Sequence, residues 1–162
     1  MTLICRRPIC LAIAICLIAL AGQLQHPAYG QKLQIFEKDR LAIVTKTGRH
    51  EFQVEIARRP KQQAQGLMFR RRLASDAGML FLYTTPEPAR MWMKNTYIPL
   101  DLLYIDGKGG IIGFHQRAVP QSLEVIGSKQ PVIAVLEVNA GTVARLQIAV
   151  GDKVVYPAFQ TK

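Results

Sequence analysis

The position of the cysteines constrains the fold of this chain more than any other feature. All three, Cys5, Cys10 and Cys16, lie within the first sixteen residues. The rest of the chain therefore has no thiol, which excludes disulfide bonds, thiolate metal sites and cysteine nucleophiles from it. Its stability must come from buried apolar side chains, and a region of about 130 residues is long enough to form one hydrophobic core.

The first thirty residues have the pattern of a secretory leader. Arg6 and Arg7 precede an uncharged apolar run, and Ala28 and Gly30 are small residues where a signal peptidase would cleave. The run is shorter than the roughly 20 apolar residues that a stable membrane span needs. We therefore expect a signal peptide over residues 1–30 and a single exported domain over residues 31–162, periplasmic or secreted. We expect no lipid anchor and no membrane span after cleavage.

Apolar runs and alternating patterns predict that strands make up most of this domain. Alternation is clearest in HEFQVEIA, where Phe52, Val54 and Ile56 alternate with polar residues. The turn KTGR joins this strand to LAIVT as a hairpin, and DGKGG joins LDLLYI to IIGFHQRA. The other predicted strands are LQIF, GMLFLY (ended by TPEP), RMWM, VIAVLEV and GDKVVY, and VPQSLEVIGSKQP is predicted as a loop.

Two short segments have helical signals. Pro60 suits a first helical position and Gly66 the position just past a helix end, which predicts a helix over PKQQAQ. AGTVARLQI predicts a second helix, with Asn139 or Thr142 as its N-cap. Because the hairpins imply mostly antiparallel pairing, we expect an α+β fold with a strongly curved sheet or small barrel and two short helices.

Five separated strings carry a family resemblance: GLMFRRRL, AGMLFLY, MWMKNTYIPLDLLYID, AVLEVNAG and GDKV. In this order they resemble the family catalogued as domain of unknown function 192, a bacterial and archaeal group that often carries signal peptides. The resemblance covers about residues 41–156 and implies a compact, strand-rich single domain without a particular activity. Many relatives have an arginine about one turn before the glycine of GLM, whereas this chain has Gln62 and Gln63.

An aspartate interrupts the apolar segment LDLLYI. Asp101 shares a predicted strand face with Leu103 and Ile105, and the opposite face is also apolar. A carboxylate in such a place must be hydrogen-bonded or paired, because an isolated buried charge costs several kcal/mol. The nearest candidate partners are the polar residues and backbone amides of the preceding KNTYIP turn.

Two roles for Asp101 follow from this placement. It either fastens the KNTYIP loop to its own strand or belongs to a ligand pocket with an apolar wall and a few polar groups. The candidate ligand-binding residues are Trp92, Lys94, Asn95, Thr96 and Asp101. The favoured function is a non-catalytic binding module for a small ligand or an envelope partner, without a cofactor.

A hydrolase-like enzyme is the first alternative. Glu137 is a second carboxylate within an apolar strand, and Asp101 and Glu137 together could act as general acid and base. The chain has no nucleophile elbow, no paired histidines at zinc-ligand spacing and no glycine-rich phosphate loop. The sequence therefore favours binding over catalysis and leaves both hypotheses open.

A Cu(I) carrier is the second alternative. Thioether sulfur is a soft ligand that selects Cu(I), and Met91 and Met93 flank Trp92, with His115 or His50 as a nitrogen ligand. On a continuous strand, Met91 and Met93 would point to one face and Trp92 to the other. Methionine also commonly fills gaps in a core, so that packing explains the same residues without a metal.

Basic residues are in excess, and the 21 Lys and Arg against 11 Asp and Glu give a net charge of +10 at pH 7. Part of this excess lies in the run Arg70, Arg71 and Arg72. Because the leader predicts export, nucleic acid is not an expected partner. The run predicts either a solvated basic face or weak binding to an anionic envelope surface.

Overall fold

Strands dominate the computed structural model, which describes residues 33–159. The predicted signal peptide, residues 1–30, lies outside the described residues. The strands are β1 (Glu37–Thr45), β2 (Gly48–Ala57), β3 (Ala77–Met91), β4 (Leu100–Ile105), β5 (Ile111–Ala118), β6 (Ile126–Asn139) and β7 (Lys153–Val155). The helices are α1 (Pro60–Gln65) and α2 (Thr142–Arg145), and a 3-10 turn covers Pro157–Phe159. None of the described helices has the length and apolar character that a membrane crossing requires.

The strands form one sheet in the order β5-β4-β6-β3-β2-β1-β7. β2 pairs in parallel with β3, and the other neighbouring strands pair antiparallel. The parallel pair arises because α1 and the loop after it connect β2 to β3, which gives the backbone room to cross back before it re-enters the sheet. The predicted curved sheet and two short helices are confirmed, whereas the sheet is mixed and not purely antiparallel.

The sheet curls into a half-barrel, and its two edges approach each other where the turn between β4 and β5 meets β7. Gly110 forms an isolated bridge with Lys153, and the amide of Val154 donates to the carbonyl of Gly109 over 2.8 Å. Gly109 has a φ of 78°, and a Cβ there would collide with the backbone oxygen of Val154. A glycine is therefore required where the two edges approach.

Each face of the sheet supports a hydrophobic core. The first core, against which α2 and the 3-10 turn pack, includes Leu41, Phe52, Leu80, Leu103 and Leu136. The second core, on the other face, includes Leu67, Phe81, Met93, Leu102 and Val135. All residues of β4 are buried, because side chains alternate along the strand between the two cores.

Several predicted strand boundaries are wrong. LQIF is not in a strand, since Leu33 and Ile35 are exposed and β1 begins at Glu37. TPEP does not end β3, and RMWM is not a separate strand, because β3 continues to Met91. β6 begins at Ile126, inside the segment predicted as a loop. Pro86 and Pro88 in β3 and Pro131 in β6 are tolerated because the β3–β6 pairing shifts register around them. Sheets accept proline where the strand pairing is irregular.

The predicted N-caps of α2 are also wrong. Gly141 occupies the N-cap position with a φ of 87°, and no side-chain hydrogen bond caps the helix from that position. Asn139 instead donates from Nδ2 to the carbonyl of Ala74 over 2.8 Å. The first-turn amide of Val143 finds its acceptor on β4, in the carboxylate of Asp101.

Candidate functional site

The carboxylate of Asp101 is fully buried, as predicted, but its partners differ from those predicted. Oδ1 accepts a hydrogen bond from the amide of Arg117 and Oδ2 one from the amide of Val143, each over 2.9 Å. Arg117 has a φ of 54° and lies where the β4–β5 register shifts, so the bulge leaves its amide without a strand partner. Asp101 therefore joins the β5 bulge to α2, and the KNTYIP turn does not contact it through a hydrogen bond.

Asp101 and Glu137 lie on opposite faces of the sheet. In the β4–β6 register, Asp101 is opposite Val138 and Leu102 is opposite Glu137. Residues opposite each other in an antiparallel pair point to the same face, so Asp101 faces the first core with Val138 and Glu137 faces the second core with Leu102. The predicted acid and base pair is therefore wrong, because the sheet separates the two carboxyl groups.

The other predicted ligand-binding residues lie in the turn after β3. Trp92 is exposed, and the Nζ of Lys94 lies 5.3 Å from the centroid of its ring. Asn95 has a φ of 55°, and its carbonyl accepts a hydrogen bond from the amide of Phe69 over 2.8 Å. Thr96 is buried, and its amide donates to the carbonyl of Met93. The turn thus fixes Trp92 at the end of β3 by backbone bonds.

A cleft lies beside this turn, between α1 and the end of β3, and we call it the Glu137 cleft. Its two parts share Gln63, Ala64, Phe81, Arg90, Met91 and Trp92. The deep chamber, of about 50 Å³, is also lined by Gly66, Met68, Thr96 and Glu137. The outer cleft, of about 600 Å³, is also lined by Tyr83, Glu87 and Pro88.

Glu137 is the unusual member of the deep chamber. Its side chain is only 4% exposed, and among residues 33–159 it has no hydrogen-bond or ion-pair partner. Burial raises the pKa of Glu137 to about 8, so the carboxyl group is mostly protonated at neutral pH. Burial and, secondarily, the negative charges of Glu87 and Glu137 raise the pKa of Tyr83 to about 12. The cleft therefore contains a buried acid whose hydrogen-bonding capacity is unused.

Two glutamines and a glycine shape the wall that α1 contributes. Gln62 accepts from the amide of Arg59 at the start of α1, and Gln63 donates from Nε2 to the carbonyl of Leu82 over 2.8 Å. Gly66 ends the helix with a φ of 49°, and a Cβ there would lie 3.0 Å from the ring of Phe81. The two glutamines thus bind α1 to the neighbouring backbone and bring it close to β3.

The structure brings the predicted copper ligands only partly together, since Met91 and Met93 both contribute to the second core, whereas His115 does not. Met91 lines the cleft and its Sδ accepts a hydrogen bond from the hydroxyl of Tyr83 over 3.6 Å, whereas Met93 is buried in the second core. His115 is exposed on β5 and does not line the cleft. The strand argument about these methionines does not apply, because β3 ends at Met91. Among the described residues, no three or more His, Cys, Asp or Glu are grouped as metal ligands would be.

The basic run divides into paired and unpaired charges. Arg70 forms a bidentate ion pair with Glu55, with N–O distances of 2.7 and 2.6 Å. The guanidinium of Arg71 lies 5.6 Å from the centroid of the Tyr97 ring, and Arg72 is exposed. Within this run, Arg71 and Arg72 therefore add positive charge that no ion pair compensates among the described residues.

A second cavity, of about 380 Å³, lies beside Tyr104. The hydroxyl of Tyr104 is buried and has no hydrogen-bond partner in the described part of the chain. Unlike this hydroxyl, the carboxyl group of Glu137 is not fully shielded from solvent, so a molecule in the cleft can reach it, and Glu137 is the stronger indication of a ligand.

Sequence reasoning predicted a ligand pocket with Trp92 and Thr96, which both line the Glu137 cleft, but it identified Glu137 only as half of a catalytic pair and did not place it in that pocket. The detectable signal was a glutamate within the apolar run VLEV. Tyr83, Phe81 and Gln63 gave no comparable signal, since an aromatic residue in a strand and a glutamine in a helix have ordinary structural roles.

A curled mixed sheet with one deep, acid-containing cleft defines a small α+β domain with a candidate ligand site. The chain belongs to the DUF192 family, described as "Uncharacterized ACR, COG1430", which matches residues 42–156. The family resemblance predicted from the five strings is thereby confirmed. No match is found among curated proteins.

Two crystal structures are similar to this chain. One is of a protein from Sinorhizobium meliloti, named as a candidate transcription regulator, with 47% identity and a TM-score of 0.73; the match covers 75% of this chain and 95% of that one. The other is of a protein of unknown function from Novosphingobium aromaticivorans, with 38% identity and a TM-score of 0.73; the match covers 81% of this chain and 90% of that one. The fold of this chain is thus similar to the folds of these two proteins.

Proposed function

We propose that this protein is an exported, non-catalytic binding module whose small ligand occupies the Glu137 cleft. The carboxyl group of Glu137 is the single observation that carries the proposal, since this residue is only 4% exposed, has no hydrogen-bond or ion-pair partner among the described residues and lines the deep chamber. A buried polar group without a partner costs free energy that a ligand's hydrogen bond recovers. The outer cleft, at about 600 Å³, also has the size of a small-molecule pocket.

Binding is favoured over hydrolysis by the separation of the two buried carboxyl groups. Asp101 uses both oxygens on backbone amides and faces the other core, so it cannot exchange protons with a ligand beside Glu137. In the deep chamber Glu137 is the only acidic residue. Glu87 lines only the outer part of the cleft, so Glu137 can bind and orient a ligand in the deep chamber, whereas acid–base catalysis of hydrolysis generally uses two groups with different pKa values at the same bond.

A thermal-shift screen of small molecules tests the binding site. Wild type is compared with Glu137→Gln, which preserves the shape of the side chain, and with Glu51→Gln, which alters a carboxylate that is 61% exposed on β2. A ligand at a hundred times its Kd stabilises a protein by about 2.7 kcal/mol. We expect ligands that raise the Tm of wild type and Glu51→Gln but not of Glu137→Gln. Shifts that persist in Glu137→Gln would place binding elsewhere and contradict the proposal.

Export is supported by the leader pattern of residues 1–30. Mass spectrometry of the periplasmic and secreted fractions should find a mature N-terminus at Gln31 or an adjacent residue. Detection of only the full-length chain, retained with membranes, would contradict export.

Weak adhesion to an anionic envelope surface is the second part of the proposal, and it now rests on Arg71 and Arg72. Exposed charges are screened over about 8 Å at physiological ionic strength, so binding to anionic vesicles should fall as salt is raised. The double variant with Arg71→Gln and Arg72→Gln should bind less than wild type, while the double variant with Arg70→Gln and Glu55→Gln, which removes an ion pair without changing the net charge, should change binding little. Equal binding by all three proteins would indicate a solvated face without this role.

A further inference from the structure

We infer that the ligand of the Glu137 cleft carries a primary ammonium group, which enters the deep chamber and pairs with the carboxylate of Glu137. This inference rests on the proposed function, because it names the chemical class of the ligand in that same cleft. Three independent features of the cleft support it: the size of the deep chamber, the chemistry of its walls and the arrangement of charges around Glu137.

The deep chamber admits only a small head group. Its volume is about 50 Å³, against about 600 Å³ for the outer cleft, with which it shares six lining residues. A buried water needs roughly 10 to 15 Å³ of such space, so the chamber holds an ammonium on one methylene but no ring or branched group. A ligand that reaches Glu137 must therefore present a narrow polar end, while its larger part stays in the outer cleft.

The walls of the outer cleft suit an organic cation. Phe81, Tyr83 and Trp92 supply aromatic surface, and Met91 supplies polarisable apolar surface beside them. The faces of aromatic rings attract ammonium groups, most strongly for tryptophan. The chain itself provides an example, since the Nζ of Lys94 lies 5.3 Å from the centroid of the Trp92 ring.

The charged groups near Glu137 leave its carboxylate as the natural partner of a cation. From β3, Arg90 lines both parts of the cleft and is exposed, while Glu87 lines only the outer part. Tyr83 on β3 and Tyr104 on β4 are the other titratable groups, and their pKa values are raised by burial, so both stay neutral. From α1 the cleft receives only uncharged side chains. Arg90 has no ion-pair partner among the described residues and could hold an anionic group on the same ligand at the rim.

Ammonium binding requires the ionised form of Glu137. Because burial raises the pKa of this carboxyl group to about 8, the free protein releases about one proton for each ammonium bound near neutral pH. The affinity for an ammonium should therefore rise with pH up to about 8 and then level off. For a pKa of about 8, the ionised fraction increases about fiftyfold between pH 6 and pH 8.

The experiment uses the intrinsic fluorescence of Trp92, which is the only tryptophan of the chain and lies in the cleft. The purified protein is titrated with n-hexylamine, with neutral N-hexylacetamide and with hexanoate, at pH 6 and at pH 8. We expect saturable quenching or a spectral shift with hexylamine alone, with a Kd about fiftyfold lower at pH 8. Glu137→Gln should abolish both the tight binding and its pH dependence, while Glu51→Gln should retain them.

The outcomes separate this inference from the proposed function. Binding of N-hexylacetamide or hexanoate that equals or exceeds that of hexylamine and is lost in Glu137→Gln would overturn the ammonium inference and leave the cleft as a ligand site. Hexylamine binding that is independent of pH, or unchanged in Glu137→Gln, would also overturn it. A fluorescence response to none of the probes, together with a failed ligand screen, would overturn both.

Discussion

Asp101 and Glu137 are two buried carboxyl groups on neighbouring strands, and their surroundings are opposite in kind. Asp101 faces the first core, and each of its oxygens accepts a hydrogen bond from a backbone amide. Glu137 faces the second core and has no such partner among the described residues, although its side chain is nearly as buried. A buried acid whose oxygens are all hydrogen-bonded stabilises the fold. A buried acid without partners lowers the stability unless a ligand supplies the missing hydrogen bonds. The difference assigns a structural role to the first and a binding role to the second.

The largest expected effect is the loss of the Asp101 carboxylate. Asp101→Ala leaves the amides of Arg117 and Val143 without acceptors, and each buried unsatisfied group costs about 1 to 3 kcal/mol. The free energy of unfolding should therefore fall by about 2 to 6 kcal/mol in urea denaturation. Asp101→Asn keeps one acceptor oxygen and should lose less. Asp76→Ala, at an exposed position, is the control and should lose little stability. If Asp101→Ala lost as little as this control, the contrast between Asp101 and Glu137 would not hold.

The pH dependence of stability should distinguish Glu137 from Asp101. Its folded pKa of about 8 exceeds the ordinary value of 4.5, so the folded protein keeps a proton that the unfolded chain releases between these values. The free energy of unfolding should fall as pH rises through this window, by at most about 1.4 kcal/mol per unit.

Glu137→Gln should remove this decline, so that the variant becomes more stable than wild type at pH 8. Denaturant unfolding of both proteins at pH 6 and pH 8 measures the difference. If the free energy of unfolding of both proteins changed equally with pH, the carboxyl group of Glu137 would have a partner in solution, as that of Asp101 does.

The smallest effect concerns Lys94, which belongs to the turn beside the cleft. Its ammonium lies over the exposed ring of Trp92, and a cation–π contact at such a site is worth about 0.5 to 1 kcal/mol. Lys94→Ala should therefore change stability by less than about 1 kcal/mol while shifting the emission of Trp92. If Lys94→Ala lowered the stability as much as Asp101→Ala, the turn would have a structural role and would not belong to the candidate site.

Several features follow from the sequence alone, because they depend on local patterns. Alternation and flanking turns predict β4 and β5 with the bounds that the structure has, and Pro60 with Gly66 predicts α1. The burial of Asp101 is likewise predictable, since a residue between apolar neighbours in a short strand between two turns has a core on each side.

The tertiary structure determines that the carboxyl group of Asp101 has hydrogen-bond partners, whereas that of Glu137 has none among the described residues. The amides that bind Asp101 lie 16 and 42 residues away along the chain, and one is available only because of the bulge at Arg117. The face that Glu137 occupies follows from the register of β6 against β4, and the cleft exists because α1 crosses over to place β3 parallel to β2. Local patterns fix whether a side chain is buried, whereas its partners depend on strand register and connections between distant segments, which no short stretch of sequence specifies.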